Sequence, residues 1–65
     1  MSKPDWSEAP KGFDWAAMDS SGDWYWYDKK PVSMLVSWVN ADGQFEKARW
    51  IGAEKPWRET LERRP

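Results

Sequence analysis

Apolar and polar positions alternate along most of this chain instead of recurring at helical spacing. From Gly12 to Asp19, Phe13, Trp15 and Ala17 alternate with Asp14, Ala16 and Met18, the two-residue period of a strand. Asp19-Ser20-Ser21-Gly22 is a turn cluster whose glycine is free to take positive φ. Trp24-Tyr25-Trp26-Tyr27 follow, and Lys29-Lys30-Pro31 stop the run. Aromatics favour pleated backbone, and successive strand side chains point to opposite faces. Trp24 and Trp26 therefore share one face, and Tyr25 and Tyr27 the other. A strand with no polar face belongs at the centre of a sheet. Met34-Leu35-Val36-Ser37-Trp38-Val39 reads as a third strand, and Asp42-Gly43 as a tight hairpin turn. Gln44 to Ile51 mixes charged and apolar positions, the pattern of a guarded edge strand.

The two ends differ from this core. Residues 1–11 hold Pro4, Pro10, Ser7 and two lysines around Trp6, and read as an irregular arm pinned by its tryptophan. After Gly52, Pro56 suits the first turn of a short helix. Trp57 and Leu61 would share one face of it, with Glu59 and Arg63 paired outside. The expected fold is mainly β (α+β): a small antiparallel sheet of three or four strands in a meander, near 13–19, 23–29, 34–40 and 44–51, with a short C-terminal helix. Residues 12–65 form a single small β domain behind the arm. The expected core is Trp15, Trp24, Trp26, Trp38 and Leu35. Lys-Pro occurs at 3–4, 30–31 and 55–56, an echo that two stacked hairpins produce without duplication.

Composition sharpens this. The chain has 65 residues, no cysteine and no histidine, so disulfides, thiolate metal sites and imidazole chemistry are excluded. Seven tryptophans stand in for size, since each large aromatic buries roughly 150–250 Å². Net charge is −1, from ten basic and eleven acidic residues. That balance argues against both a strong nucleic-acid binder and an acidic DNA mimic. No apolar run approaches the ~20 residues that span a bilayer, and no apolar signal core opens the chain. The expected location is the cytoplasm, without membrane association.

Asp14, Asp19, Asp23, Asp28 and Asp42 read as turn and solvent-facing carboxylates. General acid/base work would need a buried, perturbed pair beside a pocket. Asp19-Ser20-Ser21-Gly22-Asp23 lacks the spacing and terminal glutamate of a calcium loop. No phosphate loop or dinucleotide fingerprint is present. The chain is expected to be no enzyme and to hold no metal or cofactor. The aromatic surplus is the informative feature, because one small sheet does not hide every ring and exposed rings mark binding surfaces. One reading makes Tyr25, Tyr27 and Trp50, beside Arg49, the anchors of a protein interface. The alternative stacks them on single-stranded nucleic acid or a nucleotide, with Lys29, Lys30, Lys47 and Arg49 meeting phosphates. A leftover edge and apolar face favour dimers, but the arm and the terminal helix are two available covers, so a monomer is expected.

The chain also resembles a family. Trp6-Ser7-Glu8-Ala9-Pro10, the Ala17-Met18-Asp19 and Gly22-Asp23-Trp24 hairpin, Pro31, and the ending from Trp57 through Leu61 to Arg64-Pro65 look like small accessory proteins of tailed bacteriophages. Those share a Trp/Ala/Pro opening, an A-x-D-x-x-G-x-W hairpin and a W-x-x-x-L-x-x-R-P ending. The resemblance covers most of the chain and carries over no functional residues. It implies a short protein made inside an infected bacterium that binds a host protein, to redirect host machinery or block a defence.

Overall fold

A computed structural model describes residues 5–40 and 42–65. It is mainly β, with six short strands and two single turns of 3-10 helix, Trp6–Glu8 and Trp57–Glu59. The strands are β1 (Trp15–Met18), β2 (Asp23–Tyr27), β3 (Val32–Ser33), β4 (Trp38–Val39), β5 (Phe45–Ile51) and β6 (Glu62–Arg63). Four form one antiparallel sheet in the order β5-β2-β1-β6, and β3 and β4 form a separate ladder.

The β1–β2 hairpin forms the centre of the four-stranded sheet. Gly22 takes φ 94°, a conformation that costs a side-chain-bearing residue strain. The turn closes through Gly22 N–H to the Asp19 carbonyl and Asp19 N–H to the Asp23 carbonyl, both at 2.9 Å. The register then sets Met18 opposite Trp24 and Trp15 opposite Tyr27. Strand β2 is central, as its two aromatic faces require. On the first face Trp24 and Trp26 are buried with Ala16, Met18 and Ala48, and Trp6, Phe13, Trp50 and Trp57 pack around them. On the second face Ala17 and Tyr27 are buried. The β2–β5 register slips between Asp23 and Tyr25, and such a bulge bends and twists the edge it interrupts. The Trp24 indole Nε1 donates to the Gly52 carbonyl at 2.9 Å beyond it.

Several expectations need correction. The segment 34–40 is not a strand of the sheet. Only Trp38–Val39 is extended there, paired back to Val32–Ser33, with Met34 N–H donating to the Ser37 carbonyl at 2.7 Å. Leu35, expected in the core, is 87% exposed. Local β propensity suggested burial, but side chains from other elements capture the backbone groups that would have extended the strand. Trp15 and Trp38 are half-buried, not core members. Secondly, the sheet is not a meander. Strand β5 joins β2 directly, and β6 returns from the C-terminus to pair with β1. The Asn40–Gly43 turn closes, with Gly43 N–H to the Asn40 carbonyl at 3.2 Å, but it joins strands of different sheets. Thirdly, the C-terminal helix is one 3-10 turn. Eight residues of isolated helix are unstable in water, and the residues after the turn pair instead as β6 with the free edge of β1.

Both ends of the described chain from Asp5 onward are tied to this sheet. Residues 1–4 of the expected arm lie outside the described residues. Asp5 caps the first 3-10 turn, its Oδ1 accepting from Ser7 N–H at 3.0 Å. Trp6 packs on Trp26, ring centroids 5.1 Å apart. Arg64 donates to Asp14 at 2.7 Å and to the Phe13 carbonyl at 2.9 Å, and its guanidinium lies over the Trp6 ring. Thr60 is the buried polar latch. Its hydroxyl accepts from Met18 N–H at 2.8 Å and donates to the Trp57 carbonyl at 2.7 Å. Thr60→Val keeps the shape but strands the Met18 N–H, which costs about 1–3 kcal/mol. The urea midpoint should fall accordingly, and an unchanged midpoint would show that the latch carries no stability.

Candidate docking surface

The β3–β4 hairpin turns three consecutive apolar side chains into solvent. Met34, Leu35 and Val36 are 53, 87 and 66% exposed, and Val32 and Val39 extend the patch. The backbone beneath them is tethered. Ser20 donates to the Val36 carbonyl through its N–H at 3.2 Å and its hydroxyl at 2.7 Å. Arg58 Nη2 donates to the Leu35 carbonyl at 3.3 Å, while its guanidinium lies 4.7 Å from the Trp57 ring centre. Asp19 Oδ1 accepts from Trp38 N–H at 3.1 Å. The Trp38 indole Nε1 donates to the Met18 carbonyl at 3.0 Å and to the Trp57 carbonyl at 3.3 Å. The tip is thus an apolar knob on a pre-ordered backbone. Such a knob loses little conformational entropy when it docks.

Beside the hairpin, on the second face of the sheet, lies a groove of about 370 Å³ lined by Tyr25, Tyr27, Trp38, Phe45, Asp19 and Asn40 among others. Partial burial pushes the Asp19 carboxyl above its usual range, the Trp38 N–H pulls it back, and Asp23 adds a further push upward. Burial likewise raises the Tyr27 hydroxyl well above the ordinary phenol range, with Asp19 and Tyr25 contributing. Asn40 of the lining also belongs to a polar node. Asp28 Oδ1 accepts from Gln44 N–H at 2.8 Å and from Asn40 Nδ2 at 2.9 Å. These contacts hold the Asp28 carboxyl below its usual range. Gly43 is needed here by close approach, since a Cβ would collide with Asp28 Oδ1 and with the Asn40 amide.

The anchors expected from sequence divide between two regions. Tyr25 and Tyr27 both line the groove, but Tyr27 is only 3% exposed and is part of its floor, not a protruding anchor. Trp50 lies on the first face, edge-on to Trp26 at 5.9 Å. Arg49 sits over the Trp50 ring and pairs with Glu8 at 2.7 Å, which ties the arm to β5. Lys29 and Lys30 are exposed, and the Lys30 ammonium lies 6.0 Å from the Trp15 ring centre, where Arg63 also stacks. These residues do not form one site. The apolar tip and Phe45, 62% exposed, were missed as binding candidates. The signal available was the absence of period-two alternation in Met34-Leu35-Val36.

Among the described residues, no group of three or more Asp or Glu side chains is placed to hold a metal ion. No described helix is long and apolar enough to cross a membrane. No protein-family model, curated protein or solved structure matches the chain.

Proposed function

We propose that this chain is a small phage-encoded accessory protein that binds a host protein in the bacterial cytoplasm, without catalysing a reaction. The observation that carries the binding role is the tethered tip Met34-Leu35-Val36, an exposed apolar cluster on a backbone that is already ordered. Contiguous apolar exposure of this kind marks interaction sites on small soluble folds. The phage setting rests on the resemblance of the opening, the hairpin and the C-terminal motif. Stacking on nucleic acid is less well supported. Arg49, one of the cations that reading needs for phosphates, already lies over Trp50, one of the rings it needs for bases.

Salt and nuclease separate the two readings. Phosphate contacts weaken steeply as salt rises, whereas an apolar protein interface changes little. Capture from bacterial lysate on the tagged chain should retain a discrete protein after nuclease treatment and at raised salt. Recovery of nuclease-sensitive material alone would refute the protein-binding reading.

A further inference from the structure

The groove on the second face has a chemistry distinct from the hairpin tip. Three of its rings form a mutual cluster, with centroids of Tyr25 and Phe45 5.8 Å apart, Tyr27 and Phe45 6.4 Å, and Tyr25 and Tyr27 6.5 Å. Trp38 adds a fourth ring to the lining. Asp19 is the charged member among the described lining residues. Aromatic faces carry negative potential, and a partly buried carboxylate adds a negative charge. Their sum attracts a cation and repels phosphate. A neutral occupant would deepen the desolvation of Asp19 without pairing it, which is unfavourable.

One resident cation lies near this cluster. Lys47 on β5 is 5.9 Å from the Tyr25 ring centre. The Lys47 charge is offset by Asp23, 3.6 Å away, and Lys47 does not line the groove. The volume, about 370 Å³, suits a side chain with part of its backbone, since pockets for small organic ligands begin at roughly 300 Å³. We propose that the groove binds the cationic head of a basic side chain, an arginine guanidinium or a methylated lysine ammonium, presented by a peptide. The head lies among Tyr25, Phe45 and Trp38 with its charge toward Asp19. This site stands whether or not the hairpin tip docks on a host protein.

The test is an amide NMR titration of the intact chain with four probes. These are N-acetyl-arginine methylamide, N-acetyl-trimethyllysine methylamide, the neutral N-acetyl-norleucine methylamide and a nucleoside monophosphate. At least one cationic probe should shift the amides of Ser37, Trp38, Asn40 and Gly43, and the neutral and anionic probes should not. Which cation shifts them more decides between guanidinium and methylammonium. Asp19→Asn keeps an oxygen to accept from Trp38 N–H but removes the charge, so it should weaken cation binding at least about tenfold. The same variant should melt higher at neutral pH. A carboxyl held above its usual range destabilises the folded chain where it is ionised, and this cost disappears as pH falls through its raised range and the group protonates. Phe45→Leu removes an exposed ring and should also weaken binding while the chain stays folded. Equal binding of the norleucine or nucleotide probe would overturn the proposal. So would unchanged cation binding by folded Asp19→Asn, or unmoved groove amides at high millimolar concentrations of both cations.

Discussion

Trp26→Ala is expected to unfold the chain at room temperature. The Trp26 ring is almost fully buried and holds three elements together: the N-terminal turn through Trp6, strand β5 through Trp50, and β2 itself. Truncating a buried tryptophan costs about 3–5 kcal/mol. Domains as a class are stable by only about 5–15 kcal/mol, and one of this length lies at the low end because it buries a smaller share of its surface. No disulfide is available to offset the loss, since cysteine is absent. Collapse of amide NMR dispersion is the expected readout. A dispersed spectrum for Trp26→Ala would show that the core is not organised around this ring.

Leu35→Asp should behave oppositely. The side chain is the most exposed large apolar group among those described, and the backbone beneath it is held through its carbonyl, not its side chain. Melting temperature should therefore stay close to that of the parent. Partner affinity should fall by ~2–4 kcal/mol, the range of an interface hot spot, or about thirtyfold or more. A charge placed at the centre of an apolar contact must be desolvated without a partner, which explains the size of the effect. Pull-down of the same partner at undiminished affinity would remove the tip from the interface and return attention to Trp50 and Arg49.

These two variants bracket what was legible in the residues alone. The β1–β2 hairpin could be read because its determinants are local: Gly22 for the turn, alternation for the register, and Trp24 and Trp26 on one face. The attachment of Trp6 and the charged character of β5 could be read in the same way. The hairpin from Val32 to Val39 could not, because its fold is decided at long range. Asp19 and Ser20 take the backbone groups of Trp38 and Val36, and Arg58 takes that of Leu35. Local propensity saw only a β-branched, apolar run. Strand β6 was equally hidden, since Glu62-Arg63 carries no strand preference and exists through its pairing with β1. Alternation correctly put Tyr25 and Tyr27 on one face. It held no information that Tyr27 would be covered while Tyr25 stayed half-exposed. The groove draws on β2, β4, β5 and two turns, and no single stretch encodes such a site.

The second face and the hairpin tip share a long-range contact. Asp19 links them: it accepts from the Trp38 backbone and lines the groove. Partial burial raises its carboxyl above the usual range, against the pull of the Trp38 N–H.

The most direct measurement of the docking claim is photo-crosslinking from single positions. A benzophenone amino acid placed at Leu35 presents the crosslinker from the tip, and one at Lys55, exposed but outside the patch, serves as the control. In bacterial cytoplasm treated with nuclease, position 35 should yield one discrete protein adduct, reduced when a neighbouring Val36→Asp is introduced, while position 55 yields none. Equal and diffuse adducts from both positions, or adducts that vanish with nuclease, would contradict the account.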